Sequence, residues 1–377
     1  MINKTIRCIG AALLVALWLG LTGFSWFGST KEFSDTERRP LATAPQLEGE
    51  AILEGSFMGQ FESFTLDQFP LRDTFRSIKA LHHFYALQQS DKDGLYIQDG
   101  YLADMDGDLD PEAMDDSIRV FTGIYNSLLK DSTENIYFAV IPDKNHYLSA
   151  GTNRPALDPA AVEDALTAGL PWATPIAIRH TLTKESYYRT DTHWRQEAIL
   201  PTAQTLLNGM GMNSDFSYTA RTLDRPFYGV YYGQVAMPVE PDALQILESD
   251  RLAACTVANH TSGTGTPIGF YDLEGLQEAK DPYNTFLYGS GVSFVTIENP
   301  GAATDRELVL FRDSYGCSMA PLLVADYARV TVIDLRVVNP MAMKFMVDQG
   351  VFSFQNADVL FLYSTLVLNN PDSFQVG

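Results

Sequence analysis

The chain has 377 residues, 46% of them hydrophobic, and a formal net charge of −21. That apolar content supports a full-sized core, as one large domain with an elaboration or as two modest ones. So acidic a surface repels phosphate backbones, which argues against nucleic acid as a partner.

Lys4 and Arg7 precede an apolar run from about Cys8 to Phe27. Positive charge followed by apolar residues is an export signal, and the run approaches the ~20 residues that span a bilayer. Segment 1–28 reads as a signal anchor or a signal peptide, leaving the protein membrane-anchored or secreted, and the lack of a clear small-x-small cleavage site after it favours the retained anchor. The chain beyond about Gly28 is then expected outside the cytoplasm. Residues 29–50 are polar and proline-containing, as in a linker from membrane to domain.

The main domain is expected over residues 51–377. From Ala51 to Gln89, apolar residues at helical spacing predict two short helices broken at Pro70. The stretch "GLYIQDGYLADM" predicts a hairpin about Asp99-Gly100. Pro111 to Lys130 predicts an amphipathic helix, with a proline and acidic residues in its first turn. Ile136–Ile141 is a continuous apolar run, as in a strand buried on both faces. From about Asn213 to Tyr283, Gly, Thr, Tyr and turn signals predict a β-rich insertion or an irregular excursion. Beyond it come a strand (Leu308–Phe311), a helix (about Tyr315–Tyr327), a strand (Val330–Leu335), a helix (about Asn339–Gly350) and a strand (Val359–Tyr363). This alternation is the signature of a doubly wound, mostly parallel α/β sheet.

Open parallel sheets gather their sites at the carboxyl ends of the strands. Asp143, Lys144 and Asn145 follow the first strand, and Arg312, Asp313 and Ser314 follow the second. Arg336 and Ser364 follow the remaining two. Strand ends are polar in any case, and Lys144 reads as part of a solvated loop. Ser314 sits between a buried strand and a helix, where a serine serves either as N-cap or as a nucleophile facing the helix-start amides. Gly316 and Ser318 are small enough to let a substrate approach the backbone. Elsewhere, Asp191 and His193 stand two apart in "YYRTDTHWRQEA". In an extended segment they share a face, so the carboxylate can fix the imidazole tautomer. Three roles stay open for His193: a base, a metal ligand, or a core hydrogen bond with Trp194 as packing. The metal role lacks further ligands at suitable spacing, since His146 and His180 are isolated. Cys255 and Cys317 could pair in an exported protein, and their spacing does not decide it.

"TDTHW" is followed ~120 residues later by "RDSYG", and "ERRPLATAP", "LDQFPLRD", "DGYL", "IP", "FYGVYYG" and "VIDLR" stand in order around them. From about Glu37 onward the chain thus resembles the DHHW protein family, itself similar to the alginate O-acetyltransferase-like branch of the SGNH hydrolase superfamily. The resemblance implies a flavodoxin-like (SGNH hydrolase-like) α/β fold and a triad needing no cofactor and no metal. Ser314 would be the nucleophile, His193 the base and Asp191 its orienter. Asn145, Tyr315 and Arg336 are the candidate substrate-binding residues, although Arg336 could instead pair with Asp334. The implied activity is transfer or removal of acyl groups, acetyl foremost, on a cell-envelope or extracellular polysaccharide, with a membrane acyl-donor protein as a further partner. Two positions depart from the pattern. Thr192 stands where the family name has a histidine. Ser290 and Gly291 stand where a Gly-Asn pair would supply an oxyanion donor. Either Asn145, Arg336 or a backbone N–H replaces that donor, or the chain is a catalytically silent glycan-binding or assembly-scaffold protein of the same fold.

Overall fold

The computed structural model describes residues 4–133, 135–212, 217–325, 327–355 and 357–374. The expected start of the β-rich insertion, about Asn213, lies outside the described residues. The chain divides into two compact units, Met1–Asp93 with Val230–Glu240, and Gly94–Gly229 with Pro241–Gly377.

The first unit opens on a helix, Lys4–Phe27, whose segment Ile6–Phe27 is long and apolar enough to cross a membrane. Residues 29–50 are more than a tether: they hold a small antiparallel pair, β1 (Phe33–Ser34) and β2 (Arg39–Pro40). Helices Ser56–Asp67 and Arg72–Leu81 follow, broken around Pro70. The charged residues of "ERRP" explain the order. Arg39 donates to both carboxylate oxygens of Asp67 at 2.9 and 2.6 Å, and the Ala42 N–H adds a third bond at 2.9 Å. Arg72 pairs with Glu37, and Arg76 reaches the Gly233 carbonyl at 2.6 Å. Arg39, outweighing burial, holds the Asp67 carboxyl below its usual range. A depressed carboxyl contributes stability above its unfolded pKa, and that stability is lost as pH falls through the folded value. Asp67→Asn is therefore expected to lower the Tm of this unit by a few degrees at pH 7, with a difference from wild type that shrinks as the solution is acidified below the ordinary aspartate range, as read by calorimetry.

The second unit carries the sheet. It opens on the expected hairpin, β3 (Leu95–Gln98) and β4 (Tyr101–Asp104), turning through Asp99 and Gly100 at φ 51° and 80°. Asp110 caps the next helix, Pro111–Ile124, accepting from the Glu112 and Ala113 amides. There follow β5 (Ile136–Ile141), β6 (Thr174–Pro175), β7 (Thr219–Phe227) and β8 (Asp242–Glu248). After them come β9 (Thr256–Asn259), β10 (Thr266–Ile268), β11 (Phe294–Glu298), β12 (Glu307–Arg312), β13 (Arg329–Ile333) and β14 (Asp358–Ser364). Eight of these form one sheet in the order β10-β9-β11-β13-β12-β14-β5-β6. The pairs from β13 to β6 are parallel, and β11, β9 and β10 extend that edge antiparallel.

The fold is thus α/β with a mostly parallel, doubly wound sheet, as the alternation predicts. Period-two burial explains why its central strands are unbroken apolar runs. Leu308, Leu310, Leu360 and Leu362 enter the core on one face of the sheet. Val309, Phe311, Val359 and Phe361 enter the core on the other. Of the region expected as an insertion, β7 and β8 make a separate pair, whereas β9 and β10 extend the main sheet. Strand β11, not predicted, lies between them and the parallel strands. Cys255 and Cys317 are both free thiols.

Candidate functional site

Strand β12 runs into Asp313, Ser314 and the helix Tyr315–Leu323. The Ser314 hydroxyl does not cap that helix. Asp313 does so, its carboxylate accepting from the Tyr315 N–H at 3.0 Å and from the Ser364 N–H, at the end of β14, at 2.7 Å. The serine oxygen is left for another partner, and its Oγ lies 2.7 Å from His193 Nε2. On the far side of the ring, Nδ1 lies 2.6 Å from Asp191 Oδ1. One tautomer satisfies both contacts: Nδ1–H donates to Asp191 while Nε2 accepts from the serine hydroxyl. Asp191 is fully buried, and His193 is 8% exposed.

The acid and the histidine meet through a turn rather than through extended alternation. Asp191 Oδ1 also accepts the backbone N–H of His193 at 3.1 Å, an Asx-type bond. A bridge between Tyr187 and Trp194 and a bond from Tyr188 N–H to the His193 carbonyl (3.0 Å) close the loop. The Asp242 carboxylate takes the Arg189 N–H, the Thr190 N–H and the Thr190 hydroxyl at 2.9, 2.8 and 2.6 Å. Lys144, expected in a solvated loop, is instead fully buried, and burial lowers its pKa to about 8. It donates to the carbonyls of Tyr188, Arg189 and Asp191. Gly229, of the "FYG" stretch, packs on the same loop. A Cβ there would lie 2.3 Å from Asp191 Cα and 2.3 Å from the Thr190 carbonyl oxygen. No real contact is that short, so Gly229→Ala is expected to displace Asp191 and to lower ester turnover by on the order of 10²-fold. Kinetics alongside a melting curve would check it, and unchanged kcat would mean the loop gives way without moving the acid.

The imidazole is held by aromatic rings. Tyr283 stacks on it at 3.8 Å between centroids and 11° between planes, and Tyr315 lies at 4.8 Å. Burial pushes the Tyr283 hydroxyl pKa well up, so the stacked ring stays a neutral phenol. Its hydroxyl meets Ser318 Oγ at 2.9 Å, the same oxygen that accepts from Trp194 Nε1 at 2.9 Å. Ser318, Tyr283 and Trp194 therefore form one bonded group against the imidazole. The sequence contains no signal for Tyr283, an aromatic in a tyrosine-rich stretch. Nor are Gly316 and Ser318 openings for a substrate. Ser318 is buried, and a Cβ on Gly316 would lie 2.4 Å from Arg312 Cβ.

The other expected site residues are placed differently. Asn145 is buried, accepting from the Tyr96 hydroxyl at 2.7 Å and donating to the Pro155 carbonyl at 3.0 Å and to Asp106. It makes no hydrogen bond to Ser314 or His193. Tyr315 is buried, and its hydroxyl donates to the Thr192 carbonyl at 2.8 Å, with Thr192 Oγ1 at 3.0 Å. Thr192, where the family name has a histidine, thus anchors the loop to the helix that follows Ser314. Arg336 donates twice to Asp334, at 2.9 and 2.7 Å, with Arg312 3.5 Å from the same carboxylate.

Most backbone amides at this helix start are already bonded. Tyr315 N–H bonds to Asp313 Oδ1, Gly316 N–H to the Asp313 carbonyl and Cys317 N–H to the Ser314 carbonyl. Among the described residues none accepts from the Ser314 N–H. Earlier in the chain, Leu287, Tyr288 and Gly289 hold φ of 45°, 59° and 56°, at a cost of about 1–2 kcal/mol for each non-glycine residue. This left-handed turn leads into Ser290 and Gly291, and the Val292 carbonyl ties it to Arg312 at 2.7 Å.

No family model matches the chain, and no curated protein matches it significantly. Solved structures do. A DHHW family protein from Eubacterium siraeum is similar at 18% identity and TM-score 0.58, over 76% of this chain and 96% of that one. PatB1 of Bacillus cereus, in a structure with a sulfonyl adduct, is similar at 18% identity and TM-score 0.57, over 74% and 97%. The O-acetyltransferase domain of Pseudomonas putida AlgJ is more distant, at 12% identity and TM-score 0.42 over 73% and 92%. The α/β fold of this chain is thus the fold of a DHHW family protein and of PatB1, in line with the resemblance carried by "TDTHW" and "RDSYG".

Proposed function

We propose that this chain is an extracytoplasmic, membrane-anchored serine O-acyltransferase or esterase. It acts on acyl groups, acetyl foremost, of a cell-envelope or extracellular polysaccharide. The observation that carries this reading is the relay from Ser314 Oγ through His193 to Asp191, at 2.7 and 2.6 Å. Ser314 Oγ attacks the acyl carbonyl as His193 Nε2 takes its proton, and Asp191 stabilises the imidazolium. The Ser314 N–H faces the developing oxyanion at a helix start. His193 then returns the proton to the leaving alcohol, giving acyl-Ser314. A sugar hydroxyl or water gives its proton to His193 and takes the acyl group, restoring the serine. The apolar segment Ile6–Phe27 would hold the protein at the membrane, beside a membrane acyl-donor protein.

The sulfonyl adduct of PatB1 suggests the probe. A sulfonyl fluoride is expected to modify the purified protein at Ser314, found by peptide mass spectrometry, and to leave His193→Ala unmodified. A second reading, a silent glycan-binding or assembly scaffold, is favoured by the absence of asparagine at Ser290-Gly291. If the chain stays unmodified while PatB1 reacts under the same conditions, that second reading replaces the first.

A further inference from the structure

We propose that Lys144 is a positioning residue for the acid and base of this site, acting through main-chain carbonyls. The inference rests on the serine-relay reading given above. Lys144 opens the short helix Lys144–Leu148 directly after β5 and is fully buried. An ammonium has three N–H donors. Three carbonyl oxygens meet its Nζ: Tyr188 at 3.0 Å, Arg189 at 3.3 Å and Asp191 at 2.5 Å. All belong to the loop that carries Asp191 and His193. The amides of the same loop, at Arg189 and Thr190, go to the carboxylate of Asp242. Carbonyls are thus gathered by a buried cation and amides by a buried anion, and the loop is clamped between them. Any shift of the loop would unpair buried polar groups, one of them charged, so a single loop position is strongly preferred.

A lysine at this place is hard to read from sequence, because its partners are backbone atoms some 45 residues away. The structural reason for it is chemical. Carbonyls converging on one point need a donor without acceptor character, and lysine supplies three N–H groups from one atom. Arginine keeps the charge and spreads its donors over a plane, so it restores the clamp only in part. Methionine keeps most of the volume and loses both charge and donors.

The test uses the full chain in detergent, as wild type, Lys144→Met and Lys144→Arg. Hydrolysis of p-nitrophenyl acetate gives kcat and KM. Proton NMR follows the downfield Nδ1–H signal of the His193–Asp191 bond, and Asp191→Asn assigns it. Lys144→Met is expected to lower kcat on the order of 10²-fold, with KM unchanged, and to shift or abolish the signal. Lys144→Arg is expected to recover part of both. A Lys144→Met protein that folds and keeps the wild-type signal overturns the proposal, whether or not its Tm has fallen, because a merely structural lysine would behave that way. Should Lys144→Met fail to fold, Lys144→Arg decides, and an unaltered signal with unaltered kcat overturns it. If the wild type neither hydrolyses the ester nor takes the sulfonyl label, the serine reading fails. The NMR comparison then still judges Lys144, because it needs no turnover.

Discussion

Ser314→Ala is expected to abolish sulfonyl labelling and to reduce ester turnover by on the order of 10⁴–10⁶-fold, with little change in Tm. The hydroxyl makes no cap bond to its own helix, since Asp313 serves that need, so its removal leaves no helix-start amide newly unpaired. Asp191→Asn should cost about as much as a wrong tautomer does in related chemistry, ~10⁴-fold. Its amide would donate to Nδ1 and push the ring proton to Nε2, where it can no longer accept from Ser314. The two variants thus fail for different reasons: one lacks the nucleophile, the other keeps it without a base. Steady-state hydrolysis with calorimetry on the same samples would separate them from misfolding. Turnover by Ser314→Ala close to wild type would remove the relay as the source of activity.

Gly291→Asn is expected to raise turnover, up to ~10²-fold. A missing side-chain oxyanion donor costs on the order of 10²–10³-fold in enzymes that use one. The resemblance places such a donor at this position, which here bears no side chain. The backbone tolerates the change: a Cβ on Gly291 meets nothing within 4 Å, and its φ lies outside the left-handed range. The strained turn just before it, Leu287 to Gly289, runs on to Val292, whose carbonyl is held by Arg312, so the introduced amide is carried on a tethered segment. Comparing kcat/KM and labelling rate of Gly291→Asn with wild type decides the matter. A rate no higher than wild type would mean that the Ser314 N–H is not waiting for a second donor from this turn.

Much of this molecule is written locally. Apolar runs at Ile136–Ile141, Leu308–Phe311 and Val359–Tyr363 become strands buried on both faces, and "QDGY" becomes a tight hairpin. These are properties of a few consecutive residues, so periodicity and turn chemistry suffice. The sheet's antiparallel edge was hidden for the opposite reason. Strands β9, β10 and β11 are short and gain their identity from pairing with one another and with β13. No local pattern separates such strands from an irregular excursion.

The sequence by itself determined the fold class, and it singled out Ser314, His193 and Asp191 as residues with shared chemistry. Only the tertiary structure decided that Ser314 Oγ and the imidazole meet across 121 positions, while Asn145 and Arg336 are taken up by other partners. Only it revealed Lys144, Gly229 and Tyr283 around Asp191 and His193. A strand or a turn depends on neighbours in the chain. A buried cation needs its acceptors, a glycine its close backbone neighbour and a stacked ring its partner, and those come from distant segments that folding brings together.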